Sequence, residues 1–198
     1  MKKNRKKFNL HDLAGQVEKM SLSEQKSSAG GDYYYDFEGK FLGQCGTGDQ
    51  IRVMSHDAYL INNCYGESYL NDRCQAIIFI DAGPICQANI ASSMLGLPVS
   101  IDYNPYSPQV QGSCTIDDKV ITLNYYGYFV QDSNYWEILS ILRHERTHYY
   151  QNGNMNDDLK EYLAYYDQMC NPIFANCSYA FQQGTMEQYW KYYHRLYG

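Results

Sequence analysis

Asn134-Tyr135-Trp136-Glu137-Ile138-Leu139-Ser140-Ile141-Leu142-Arg143-His144-Glu145-Arg146-Thr147-His148 is the run on which the fold of this 198-residue chain turns. Asn134 with Glu137 three residues on gives a capping-box-like start, Ile138, Leu139, Ile141 and Leu142 supply an apolar side, and Gly153 is the expected stop. The pattern predicts a helix of about 18 residues. Residues four apart on an α-helix are separated by about 40° around its axis, so His144 and His148 project from one face and can grip one metal ion. Glu145, rotated by about 100°, is near enough to reach a water on that ion without being forced to ligate it. With five His and eight Glu in 198 residues, chance alone produces this spacing in about one chain in two hundred. The spacing is therefore worth following outward.

A second helix should run from Asp157 or Asp158 to Cys170, ended by Asn171-Pro172. From His148 to Gly153 the first helix descends about 7.5 Å, and from Asn156 to Glu161 the returning helix climbs about as far. Glu161 is thereby brought back beside the histidines as a third ligand. Asp157 and Asp158 suit the N-terminal end of that helix, and Asp167 overshoots by more than one turn. Ala164 is small enough to let the two helices approach closely.

His144-Glu145-x-x-His148 followed by Glu161-Tyr162-Leu163-Ala164 resembles the gluzincin metallopeptidases, which carry H-E-x-x-H on one helix and Glu-x-x-Ala on the next. The resemblance covers roughly residues 117–170. It implies an α+β, zincin-like fold: a small sheet whose edge strand precedes the active-site helix, and a following helix that bears Glu161. It also implies Zn2+ held by His144, His148 and Glu161, with one position left for a water whose pKa falls towards about 7. Glu145 is then the general base that takes the proton from that water and passes it to the leaving amine of a peptide or protein substrate. By the same resemblance Gln151 supports a ligand from behind, and Tyr165, one turn beyond Glu161, is a candidate for stabilising the oxyanion. The third His of the metzincins is absent. Residues 119–124 (Lys-Val-Ile-Thr-Leu-Asn) occupy the place of the strand that binds substrate by backbone pairing in zincins.

Upstream, residues 32–60 read as extended or loop-like, and the glycines around Cys45-Gly46-Thr47-Gly48 lack the Lys-Ser/Thr of a phosphate loop. Residues 76–80 read as a buried strand before an Asp81-Ala82-Gly83-Pro84 turn, residues 87–95 as a short helix before Gly96, and residues 100–114 as an irregular loop. Residues 119–124 alternate and are β-branched, as a strand requires. A third helix fits residues 185–197, capped by Thr185, with Trp190, Tyr193 and Tyr197 on one stripe that suits core packing. Cys45-Gly46-Thr47-Gly48-Asp49 resembles the C-G-x-x-D switch whose thiolate blocks zinc in another zincin branch; a disulfide or buried thiol is the other reading of Cys45. His56 and His194 stand alone and suit surface or packing roles.

Composition sets the outer limits. The longest strongly apolar run, residues 76–80, is far short of the roughly 20 residues that span a bilayer. Residues 1–31 hold seven Lys/Arg and three Asp/Glu, whereas the rest carries a net charge of −10 and would repel nucleic-acid backbones. All seven Cys and all 22 Tyr lie beyond residue 31, so residues 1–31 form an appendage to a domain at 32–198. The segment Met20-Ser21-Leu22-Ser23-Glu24, ending in Gly30-Gly31, resembles the double-glycine leaders of bacteriocins and related exported peptides. That resemblance implies a peptidase-containing transporter that cuts after Gly31 and exports the domain; a flexible basic tail with a Gly-Gly hinge, on a cytoplasmic protein, is the other reading. Export makes disulfides the default for Cys45, Cys64, Cys74, Cys86, Cys114, Cys170 and Cys177, with Cys170 and Cys177 able to close a small loop around Asn171-Pro172. The alternative to a peptidase is a secreted bacteriocin-like or signalling protein that binds a surface partner and uses zinc structurally.

Overall fold

Tyrosines and β-branched residues build a first sheet. The computed structural model describes residues 31–65, 75–115, 117–132, 134–151 and 153–198. Strand β1 (Asp32–Tyr35) pairs antiparallel with β2 (Phe41–Cys45) and parallel with β3 (Ile51–Val53), and β4 (Ile77–Ile78) adds antiparallel to β3, giving the order β2-β1-β3-β4. Successive strand residues face opposite ways. Tyr33 and Tyr35 accordingly join Ile51 and Val53 in the main core, while Tyr34 packs on the other face with Met54, Ala58 and Tyr59. Helix α1 (His56–Tyr65) supplies Ala58 and Tyr59 to that second cluster.

The second sheet carries the frame of the site. Helix α2 (Pro84–Leu95) begins with Pro at its first turn and ends on Gly96 in the left-handed region (φ 74°), where a side chain would be strained. It leads into β5 (Val99–Asp102), then β6 (Gly112–Thr115) and β7 (Val120–Asn124), in the order β5-β7-β6 with β5 parallel and β6 antiparallel to β7. Ile121 and Leu123 of β7 are fully buried. A short helix α3 (Tyr128–Gln131) precedes α4 (Tyr135–Tyr150), which packs against α2, β6 and β7 and against α5 (Asp157–Cys170). A 3-10 turn (Pro172–Asn176) joins α5 to α6 (Tyr179–Tyr197).

The described residues thus form a mixed α+β fold with two small sheets, and several sequence expectations need correction. Strand β7 lies in the middle of its sheet, so residues 119–124 are not an edge strand; β5 and β6 are the edges. Residues 100–114 hold most of β5 and of β6, and the loop lies only between them. The apolar run at 76–80 is a two-residue strand that tightens into a 3-10 turn (Phe79–Asp81). Helix α4 stops at Tyr150, with Gln151 extended as its cap, before reaching Gly153. Helix α6 starts six residues earlier than Thr185, capped by Ser178, whose hydroxyl accepts from the Phe181 N–H. Its Trp190 and Tyr197 are 48% and 64% exposed, so that stripe is an outer aromatic face resting on Tyr162 rather than core. Cys170 is an exposed free thiol and Cys177 a buried one, so they do not bridge; Cys45, Cys86 and Cys114 are free as well. The leader-like segment up to Gly30, and Cys74, lie outside the described residues, and no described helix is long and apolar enough to cross a membrane.

Candidate metal centre

Helix α4 is anchored from its first turn. The Asn134 side chain accepts from the Trp136 and Glu137 N–H groups at 3.0 and 3.2 Å, satisfying two of the donors a helix start leaves open. Glu137 does not close the capping box: buried, it accepts from the Ser178 N–H at 3.1 Å and so ties α4 to the start of α6. Ile138 and Leu142 are fully buried, which fixes the rotation of the helix and turns His144, Glu145 and His148 inward, each less than 10% exposed. At the other end Lys119, just before β7, donates through Nζ to the Tyr149 carbonyl, a cation at the negative end of the helix.

Helix α5 returns from the turn after Gln151, capped by Asn156, and meets α4 at Ala164, which is fully buried. Glu161 arrives where the helix geometry predicts. One of its carboxylate oxygens lies 3.5 Å from His144 Nε2 and the other 3.5 Å from His148 Nε2. The two Nε2 atoms are 3.1 Å apart. A tetrahedral ion with bonds of about 2.0–2.1 Å has donor–donor edges of about 3.3 Å, so the three groups stand at the separations a divalent ion of zinc's size requires. Asp157 instead pairs with Lys160, Asp158 with Arg195, and Asp167 accepts from the Thr147 hydroxyl, in keeping with their exclusion.

The outer ring of hydrogen bonds fixes the chemistry of the two imidazoles. Gln168 donates its Nε2–H to the Ser140 hydroxyl at 3.0 Å, which turns its oxygen towards His144 Nδ1 at 3.2 Å. Gln151 donates to the Lys160 carbonyl at 2.9 Å, which turns its oxygen towards His148 Nδ1 at 2.8 Å. An amide oxygen only accepts, so each Nδ1 carries a proton, and a ring that holds only that proton presents a bare Nε2 to the centre. Two facing lone pairs and a carboxylate at these distances repel unless a cation or proton lies between them. The donor set therefore suits a metal ion in its chemistry as well as its spacing.

The charges respond accordingly. Burial raises the Glu145 carboxyl, opposed by the two imidazoles and reinforced by Glu161, so it is a stronger proton acceptor than an ordinary carboxylate. Burial would also raise Glu161, but its hydrogen bonds and attraction to His144 and His148 outweigh this and hold it down at about 2. His148 is lowered by burial and raised more strongly by Glu161, Gln151 and Glu145.

A cavity of about 680 Å3 opens over the three donors, between β6 and α6. On the β6 side Gly112 rests against Glu145: a Cβ there would meet Glu145 Cγ at 3.0 Å and Ile141 at 3.1 Å, so any larger residue makes these side chains give by a few tenths of an ångström. Tyr165 lines the cavity with its ring 4.4 Å from that of His144 and stacks on Tyr192 of α6; burial and Glu161 both raise its hydroxyl pKa. Cys45 does not line the site, because it packs beside the Tyr34–Tyr59 cluster of the first sheet, so it is in no position to block a metal there. His56 opens α1 and His194 stacks near Trp190, both away from the centre. Sequence reasoning missed Gln168. It lies seven residues, two helical turns, past Glu161 and hence on the same face, which was the available signal. Compared with protein-family models, with curated proteins and with solved structures, the chain finds no match.

Proposed function

We propose that this chain is a zinc-dependent peptidase of the zincin type, akin to the gluzincins, and that it is exported after cleavage at Gly31. The observation that carries the reading is the convergence of His144 Nε2, His148 Nε2 and the Glu161 carboxylate with both Nδ1 atoms already engaged by amide oxygens. A divalent ion bound there supplies Lewis acidity towards a water and a scissile carbonyl. Glu145, buried beside the donors and with its proton affinity raised, takes the proton of the attacking water and delivers it to the leaving nitrogen. Strand β6 ends its sheet and its Gly112, Ser113 and Cys114 line the cavity, which supports an extended peptide adding to it as a further strand, bound through main-chain hydrogen bonds with little demand on sequence.

The decisive variant is Glu145→Gln, tested on a peptide pool with the zinc content measured in parallel. Peptide hydrolysis should fall by about 10²–10⁴-fold with zinc retained. An unchanged biological effect in that variant would favour a binding protein that uses zinc structurally. Export is tested separately by mass: the secreted species should begin at Asp32.

A further inference from the structure

Gly31 and Asp32, the residues on either side of the proposed leader cut, are built into the first sheet. Gly31 is buried; its N–H donates to the Gly48 carbonyl at 2.7 Å, and its own carbonyl accepts from the Gln44 side-chain amide at 3.1 Å. A Cβ built on it would meet Cys45, Gln44 and Gly46 at 3.1 Å, so the chain of residues 44–46 is packed directly against it. Asp32 opens β1, and its carboxylate accepts from the Gln50 N–H at 3.1 Å and from Arg52 Nε–H at 2.9 Å. Gly48 lies so near that a Cβ on it would meet Asp32 Oδ1 at 2.0 Å.

The same few residues reach the helix that carries the histidines. The Asp49 carbonyl accepts from the Tyr135 N–H at 2.8 Å, and its carboxylate accepts from the Asn134 side-chain amide at 2.7 Å. Gln50 forms an isolated antiparallel bridge with Asn134, and its carbonyl accepts from the Tyr33 N–H at 2.8 Å. Residues 48–50 thus join the start of β1 to the cap of α4. Contacts that share a segment in this way tend to form and open as one unit. A peptidase reads extended chain through main-chain hydrogen bonds and needs a free strand edge to do so. Strand β1 has none, since β2 lies on one side of it and β3 on the other.

We infer that the Gly31–Asp32 bond is open to the leader peptidase only before the domain folds, so that cutting precedes assembly of the metal centre. This rests on the reading of residues 1–31 as a leader and adds the order of events at that site. Hydrolysis adds one water across the C–N bond, leaving a carboxylate on Gly31 and an ammonium group on Asp32. A chain that folds with the leader attached has paired β1 and capped α4, and it is no longer a substrate for the cut. In the productive order His144, His148 and Glu161 converge only after the leader is gone.

The test sets the peptidase domain of a double-glycine exporter on two substrates: a synthetic peptide of residues 1–40, which lacks β2 and β3, and the folded full chain. Cutting after Gly31, read by mass, should be at least about 100-fold slower in the folded chain, because it waits for a rare opening that breaks several hydrogen bonds at once. Gly48→Ala, whose methyl group displaces the Asp32 carboxylate, should speed cutting of the full chain about tenfold. Gln44→Ala, which removes the donor to the Gly31 carbonyl, should speed it about threefold and keeps the inference testable if the Gly48 variant does not fold. Equal rates on the two substrates, or no acceleration in any variant that still folds, overturn the inference. If the peptide itself is not cut, the leader reading falls instead. Closure of the bond is then judged by hydrogen exchange at the Gly31 and Tyr33 amides of the full chain: exchange slowed by about 100-fold or more upholds it, and exchange as fast as in the peptide overturns it.

Discussion

Two regions meet at the cavity and are made differently. Between α4 and α5 polar side chains are packed and tied: Ser140 to Gln168, Gln168 to His144, His148 to Gln151, Gln151 to the α5 backbone at Lys160. The facing walls on β6 and α6 are shaped by what two glycines leave out. Gly112 lets backbone close on Glu145 and Gly184 leaves a gap. An ion demands fixed donors and a second ring of partners to hold them, whereas a ligand demands room. The comparison predicts that changes within the helix pair move metal affinity, while changes in the walls move turnover or selectivity at constant metal.

The largest effect that sharpens it is Gln168→Leu. The substitution keeps the bulk of the side chain but leaves His144 Nδ1 without an acceptor and Ser140 without its donor, so the zinc dissociation constant should rise by about 10–100-fold in a chelator competition. A rise of the same size in a wall variant would break the comparison. Gly112→Ala comes next. Its methyl group displaces the Glu145 carboxylate or lifts β6, and turnover should drop by about tenfold with the zinc content unchanged. Loss of zinc in that variant would show that the wall also supports the metal.

The smallest expected effect is on stability against pH. In the metal-free chain Glu161 is lowered, so its contribution is present above the ordinary carboxylate value of 4.5 and is lost as pH falls towards about 2. His148 is raised, so its contribution is present below the ordinary imidazole value of 6.5 and is lost as pH rises through its higher folded value. Thermal melting without metal should therefore be highest between these limits. With zinc present the alkaline loss should vanish, because the ion replaces the proton between the rings. A metal-free chain that grows more stable above the imidazole range would contradict this assignment.

What could be read in the sequence follows the same division. Asn134, Asn156 and Asn171-Pro172 mark helix ends through local hydrogen bonding, and His144, His148, Glu161 and Ala164 sit at helical intervals, so the helix pair and its donors were legible from spacing alone. The walls were not. Gly-Ser-Cys-Thr in β6 shows no apolar alternation, since an edge strand over a polar site buries little, and its pairing depends on β7. Thr185 is a suitable capping residue in the sequence, but the structure uses the equally suitable Ser178 about two turns upstream, and only packing distinguishes the two. The tyrosines of Tyr33-Tyr34-Tyr35 signalled extended chain, but their division between two clusters required the partner strands.

X-ray absorption at the zinc edge of the loaded chain tests most directly whether His144, His148 and Glu161 together hold the ion. The account predicts two imidazole nitrogens and light oxygen neighbours at about 2.0–2.2 Å, the imidazole signal halved by His148→Ala and the remainder unaffected by Glu145→Gln. A sulfur neighbour at about 2.3 Å, as Cys114 in the cavity wall would give, or a first shell unchanged by His148→Ala, would contradict it.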